Sequence, residues 1–149
     1  MVAIATVIGV LAVGFGWFFL LRFFRDRSMR SLARRLGFQY TNRSFPNDFP
    51  SDAEPFNNIS LKWNAMSGQR NGIDIVVFDG IFGSGRGIYR TYVAVRSQKY
   101  PFPSSDSLLE KVLQSDGWFA LFGRQKALDF VPWSLSVERI KEIVDRLIS

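Results

Sequence analysis

Residues 2–21 read VAIATVIGVLAVGFGWFFLL and contain no charged side chain. A run of about 20 apolar residues is the length that crosses the hydrocarbon core of a bilayer as a helix. A cleaved secretory signal is the competing interpretation, but such a signal needs basic residues before a shorter apolar core, and here they follow it. The sequence therefore predicts a transmembrane helix over residues 1–24, which leaves room for one small domain.

The segment that follows the apolar run is strongly basic. Residues 22–36 carry six arginines and one aspartate, so +5 of the chain's net charge of +6 lies here. The positive-inside rule then predicts an N-terminus outside the membrane and a domain on the cytoplasmic side. We expect the following residues to contact the membrane surface, where anionic headgroups favour arginine: Trp17, Arg22, Arg25, Arg27, Arg30, Arg34 and Arg35.

The basic segment also has helical periodicity. Apolar residues recur at helical spacing at Met29, Leu32, Ala33 and Leu36, and Gly37 supplies a C-terminal stop. The pattern predicts a basic juxtamembrane helix over residues 25–37. Its apolar face either packs on the domain, or the helix lies on anionic headgroups.

Small residues line one face of the predicted span, where they allow a second helix backbone to approach closely. They are Ala5, Gly9, Ala12 and Gly16. This face offers a possible site of self-association.

A β-meander is predicted at the centre of the domain, which covers residues 38–149. Asn71-Gly72 is a preferred pair for a two-residue hairpin turn, and a glycine-rich turn follows at residues 83–87. Antiparallel strands are expected at 61–70, 73–82 and 88–97. Symmetric pairing places Phe78 opposite Tyr92 and Asp74 opposite Arg96. The β-branched face, with members such as Val77 and Val93, is the predicted core, and the other face is predicted to be more exposed.

The remaining segments complete an α+β fold. Residues 41–58 are rich in Pro and Asn and predict an irregular loop, held to the domain by Phe45, Phe49 and Phe56. Residues 105–117 predict a helix that ends at Gly117, residues 117–122 a short strand, and residues 136–149 a helix capped by Ser136. Helices are thus expected on one face of an antiparallel sheet.

The residue content argues against most catalytic and metal chemistry. The chain has no cysteine and no histidine, which removes the preferred zinc ligands. The glycines at 83, 85 and 87 lead into a strand rather than a helix, unlike nucleotide-binding loops. Asp79 is interpreted as a turn-entry residue. We expect no catalytic residue, cofactor or metal site, and the near-neutral domain argues against nucleic acid as a partner.

The order of features resembles a group of small, uncharacterised bacterial membrane-anchored proteins. The resemblance rests on a span, arginines, RRLGFQY, a Pro/Phe-rich loop, NAMSGQRNGIDIVVFD, a glycine-rich turn and TYVAV. It covers most of the chain, and its motifs are turns and core strands. The resemblance implies a bacterial, single-pass inner-membrane protein and carries over no catalytic residue.

These patterns leave two functional expectations. The first is a membrane-anchored domain that binds a protein partner or organises an assembly. The alternative is a membrane-tethered domain that binds a lipid or small ligand on the more exposed sheet face. The residues expected to form that ligand or partner face are Phe78, Arg86, Arg90 and Tyr92.

Overall fold

A long N-terminal helix, a six-stranded sheet and a C-terminal helix make up the fold. The structure, a computed structural model, describes residues 2–83, 88–98, 109–123 and 135–147. The elements are α1 (Val2–Leu36), β1 (Gln39–Asn42), a 3-10 turn (Phe56–Asn58), β2 (Ile59–Arg70), β3 (Ile73–Phe82), β4 (Ile88–Arg96), β5 (Leu109–Ser115), β6 (Trp118–Gly123) and α2 (Val137–Arg146). The predicted α+β class is confirmed.

Helix α1 is continuous through the predicted boundary at residue 24. The predicted span and the predicted juxtamembrane helix are therefore one helix in the structure. It ends at Gly37, whose φ of +72° is a conformation that glycine adopts readily, and the Phe38 amide donates to the Ala33 carbonyl at 2.8 Å. Its outer part is long and apolar enough to cross a membrane, and no residue of that apolar stretch is buried inside the protein.

All six strands form one antiparallel sheet in the order β1-β2-β3-β4-β6-β5. The predicted register between β3 and β4 is confirmed, since Phe78 lies opposite Tyr92. Asp74 and Arg96 form the expected ion pair, at 3.9 Å, and Arg96 also donates to Asp48 at 2.6 Å. The predicted strand over 117–122 is confirmed as β6.

The helix predicted over residues 105–117 is wrong where the structure describes it. Residues Leu109–Ser115 form strand β5, which pairs with β6 across the turn at Asp116 and Gly117. The φ angles of this turn, +49° and +77°, match those of Asn71 and Gly72. Asp-Gly is a preferred pair for such a turn, so Gly117 belongs to a hairpin and does not end a helix.

One face of the sheet packs against both helices. Its core contains the apolar residues of α1 between Met29 and Leu36, the inward residues of the central strands such as Val77 and Val93, and Ile140 of α2. Ser136 caps α2 as predicted, accepting from the Arg139 amide at 3.2 Å. The predicted core face is thus confirmed, and it holds α1 on the sheet.

The opposite face of the sheet is also buried, which corrects the prediction of a more exposed face. Phe49 and Phe56 of the 43–58 loop lie over Phe78 and Tyr92, and both strand residues have no exposed surface. Phe45 packs edge-on against Phe78 with ring centroids 5.2 Å apart. The prediction that phenylalanines hold this loop to the domain is therefore confirmed, and the loop closes the face.

Candidate functional site at the junction of helix α1 and the sheet

A buried ion pair joins α1 to the centre of the sheet. Arg25 donates from Nε and Nη2 to the two carboxylate oxygens of Asp79, each at 3.0 Å, in the bidentate arrangement that favours arginine. Both side chains are only 2% exposed. Ion pairs without additional hydrogen bonds are costly to bury, so the surrounding donors matter.

Two neutral side chains complete the environment of Asp79. Thr91, directly opposite on β4, donates to Oδ1 at 2.6 Å and accepts from Arg25 Nη2 at 2.9 Å. Asn64 of β2 donates to Oδ2 at 2.9 Å. Asp79 thus accepts four hydrogen bonds, two at each oxygen, which fills the usual capacity of a carboxylate. We call Arg25, Asn64, Asp79 and Thr91 the junction cluster.

The junction cluster continues outward through a tyrosine on β1. The Tyr40 hydroxyl lies within hydrogen-bond distance of Asp26 and of Asn64 Oδ1, the latter at 2.9 Å, and its single proton serves one acceptor at a time. Burial raises the pKa of Tyr40, and the hydrogen bond to Asp26 raises it further. Arg30 donates to Asp26 at 2.8 Å and stacks over the Tyr40 ring. Polar contacts therefore tie α1 directly to β1, β3 and β4, and Asn64 links β2 to the same network.

Aromatic contacts extend the junction toward the apolar half of α1. Phe18 meets Tyr89 of β4 with ring centroids 6.3 Å apart, and Tyr89 meets Trp63 of β2 at 5.5 Å. The Arg22 guanidinium lies over the Trp63 ring, 5.4 Å from its centroid. This end of the sheet therefore touches α1 at residue 18, inside the uncharged run.

The predicted membrane-surface residues fall into two groups. Trp17, Arg22, Arg27, Arg30, Arg34 and Arg35 are exposed. Arg25 is buried in the junction cluster, and its guanidinium faces Asp79 rather than the surface, which corrects the prediction for this residue. In the sequence Arg25 lies among other arginines of the same segment, so only the position of Asp79 in the fold distinguishes it.

The small-residue stripe lies along the apolar part of α1. Gly9, Ala12 and Gly16 are exposed, with open space around both glycines, and Ala5 is a helical residue whose side-chain surroundings lie outside the described set. At both glycines, no described atom outside the helix lies within 4 Å of the position that a Cβ would take. Self-association through it stays a prediction.

The predicted ligand or partner face is not a surface. Phe78 and Tyr92 lie beneath the 43–58 loop, and Arg90 is half-buried with its guanidinium 4.3 Å from the Phe122 ring centroid. Arg86 lies outside the described residues. Phe78, Arg90 and Tyr92 therefore do not form the exposed site that the alternation pattern suggested.

The contacts of the junction cluster indicate a structural role. Asp79 was interpreted as a turn-entry residue, but it lies inside β3, buried, and its acceptor sites are filled by Arg25, Asn64 and Thr91. Such a carboxylate has no acceptor site left for an external donor or a metal ion. Within the described ranges, no group of three acidic side chains is placed to bind a metal ion.

Comparison of the chain with family models, with curated proteins and with solved structures finds no match. The resemblance to small bacterial membrane-anchored proteins therefore stays a prediction.

Proposed function

We propose that the chain is a single-pass membrane-anchored protein whose α+β domain serves as a protein-interaction or assembly module at the cytoplasmic face of a bacterial inner membrane. One observation carries the proposal. Helix α1 continues without a break from its apolar half into the domain core, where Arg25 binds Asp79 in a buried bidentate pair. The domain is thus held in one orientation relative to its anchor.

Fixed orientation matters because it is the property that an assembly component needs. A domain on a flexible linker samples many orientations, and binding must then restrict them at an entropic cost. Here no linker separates the apolar run from the sheet, since Phe18 already contacts Tyr89. A partner in the same membrane therefore meets a surface that is already aligned.

The exposed arginines support the cytoplasmic orientation. Five of the six arginines in residues 22–36 remain exposed on α1, and only Arg25 is buried. Five exposed positive charges next to the apolar run satisfy the positive-inside rule without the sixth. The ligand-binding alternative receives no comparable support, because the 43–58 loop covers the face on which it depended.

In situ photo-crosslinking tests the interaction module. A photoreactive residue is placed at Asp52 or at Gln69, which are exposed on separate parts of the domain, and the chain is expressed in its own membranes. We expect one of the two positions to give a reproducible adduct with a partner protein, and the other position to give a different set of adducts. The matched control exchanges residues 2–16 for an unrelated apolar span and keeps residues 17–36, so that anchoring and the junction persist while the small-residue stripe is lost.

The same experiment separates the outcomes. An adduct that survives the exchange assigns the interaction to the domain, and one that disappears assigns it to the span. Absence of any adduct across exposed positions contradicts an interaction module. A reporter fused after Ser149 tests the orientation, and activity outside the cytoplasm contradicts it.

A further inference from the structure

Exposed apolar side chains of the domain gather at one end of the sheet. Of the described residues outside α1, the large apolar side chains that remain exposed are Leu61, at 71%, and Phe82, at 37%. They lie on neighbouring strands, because Ile59 pairs with Phe82 and Ser60 pairs with Ile81. Single exposed apolar residues are common on soluble domains, so their shared position is the informative observation.

This end of the sheet is the end beside the apolar half of α1. Tyr89, which pairs with Ile81, contacts Phe18, and Trp63 contacts Arg22. Residue 18 lies within the uncharged run, which ends at residue 21. With a rise of about 1.5 Å per residue, the contact lies about 4.5 Å inside the end of the run. Because the headgroup zone of each leaflet is several ångströms deep, this end of the sheet reaches that zone if α1 spans a bilayer.

The backbone at Leu61 adds a second observation. Leu61 has a φ of +46°, in the left-handed region that bulky side chains rarely adopt, and it lies at a register shift in β2 between Ser60 and Trp63. Such a conformation is strained, and it persists where the surrounding structure enforces it. The result is a leucine turned out of the sheet into solvent.

Basic side chains lie beside Leu61. Arg22, Arg43 and Lys62 line a shallow cleft together with Leu61, Trp63 and Tyr89. Arg22 and Arg43 are exposed, and Lys62 is half-buried with its ammonium donating to the Ser51 carbonyl at 3.0 Å. Apolar tips, interfacial aromatic rings and basic groups together are the composition that binds the boundary between anionic headgroups and acyl chains.

We propose that this end of the sheet docks on the same bilayer that α1 crosses. Leu61 and Phe82 enter the boundary between headgroups and acyl chains, and Arg22 and Arg43 meet anionic phospholipid headgroups. The proposal rests on the membrane anchor of the proposed function, and it adds a second, domain-borne contact with the lipid. We call Leu61, Phe82, Arg22 and Arg43 the lipid-facing rim.

Depth measurement in vesicles tests the lipid-facing rim. Because the chain contains no cysteine, single cysteines at Leu61 and at Phe82 carry an environment-sensitive fluorophore without background labelling. Gln69, exposed and roughly 20 Å along β2 from Leu61, is the matched control, and Val13 in the apolar run reports anchoring. The full chain is reconstituted in vesicles of phosphatidylcholine and phosphatidylglycerol, with nitroxide lipids and aqueous iodide as quenchers.

We expect the probes at Leu61 and Phe82 to show blue-shifted emission, quenching by shallow nitroxide lipids and severalfold weaker quenching by iodide than the probe at Gln69. Arg43→Gln is expected to reduce lipid quenching at position 61, as is omission of phosphatidylglycerol. If the probes at Leu61 and Phe82 lie equally deep in vesicles without phosphatidylglycerol, the proposed contact of Arg22 and Arg43 with anionic headgroups is overturned.

The two proposals fail in different ways. The lipid-facing rim is overturned if iodide quenches the probes at Leu61 and Phe82 as strongly as the probe at Gln69. The anchor stays intact in that case if lipid quenchers still reach the probe at Val13. Absence of lipid quenching at Val13 overturns the anchor itself. Two rim positions, on different strands, keep the test valid if one labelled variant fails to fold, and circular dichroism checks folding in each.

Discussion

Replacing Arg25 with methionine removes the one basic side chain of α1 that is buried in the domain. Methionine keeps an unbranched, flexible stem and helix propensity while it deletes the guanidinium. Asp79 is then left 2% exposed without a counter-charge, although Asn64 and Thr91 still donate to it. The variant therefore isolates the contribution of the buried charge pair.

The expected loss of stability is large. Breaking a buried ion pair by removal of one partner costs roughly 3–5 kcal/mol, because the remaining charge is uncompensated. A domain of this size is stable by roughly 5–15 kcal/mol, so the change removes a substantial fraction of the total. With a urea dependence of about 2 kcal/mol per molar, the unfolding midpoint should fall by roughly 2 M.

Urea unfolding of the full chain in nonionic micelles, followed by tryptophan fluorescence, measures the effect. Arg34→Met is the matched control, since Arg34 is exposed on the same helix, and its change should lie within about 0.5 kcal/mol. The double variant Arg25→Met/Asp79→Asn, which has no unpaired charge, should lose less than the sum of the single variants. Equal midpoints for Arg25→Met and Arg34→Met would refute the argument that the buried pair locks the helix to the sheet.

Three further outcomes follow from packing and burial. Gly68→Ala should destabilise the domain by roughly 1–3 kcal/mol, because the new Cβ would lie 2.2 Å from the Phe38 ring. Gly14→Ala, with open space around it, should leave the stability unchanged. Thermal unfolding compares the two variants. Tyr40→Phe should cost about 1 kcal/mol of unfolding free energy through its lost hydrogen bond. Tyr92→Phe should be neutral or stabilising, because the buried Tyr92 hydroxyl has no hydrogen-bond partner among the described residues. Chemical unfolding measures both variants, and the opposite order of stability would contradict this reasoning. Burial raises the pKa of both tyrosines above 10, so the stability that depends on their neutral hydroxyls is full below about pH 10 and is lost as the pH rises further. Alkaline unfolding should therefore shift to higher pH in the double variant Tyr40→Phe/Tyr92→Phe. An unchanged profile contradicts this assignment.

Hairpin chemistry explains why the central sheet was predictable. Asn71-Gly72 fixed the register of β2 and β3, and the alternation of β-branched residues identified the helix-facing side. The same chemistry was present at Asp116-Gly117 and was misassigned, because Leu108, Leu109, Val112 and Leu113 also fit a helical spacing. A two-residue turn between short apolar segments was the stronger signal, since it restricts two φ angles at once.

The closed second face was less predictable because it depends on contacts distant in sequence. Phe49 covers Phe78 from 29 positions away, and nothing local distinguishes a covered aromatic from an exposed one. A hint existed in IVVF and YVAV, since near-continuous apolar runs are typical of strands buried on both faces.

The junction cluster was only half predictable. Asp79 has the same parity as Ile75 and Val77, so alternation alone places it on the helix-facing side of β3. An acidic residue there needs a basic partner, but six arginines of the neighbouring segment were equally available. Only the packing of α1 against the sheet selects Arg25, 54 residues away.

Under the proposed membrane anchoring, the continuity of α1 couples the bilayer to the orientation of the domain. A helix that is longer or shorter than the local hydrocarbon thickness adapts by changing its tilt. Because the sheet is fixed to α1 by Arg25, tilt of the helix is also tilt of the sheet. The ends of β2 pair with the ends of the 10-residue β3, Ile59 with Phe82 and Arg70 with Ile73, so β2 spans about 30 Å. A lean of about 10° therefore displaces its far end by about 5 Å. If α1 crosses a bilayer as proposed, the thickness of that bilayer therefore changes the position of the distal surface of the domain.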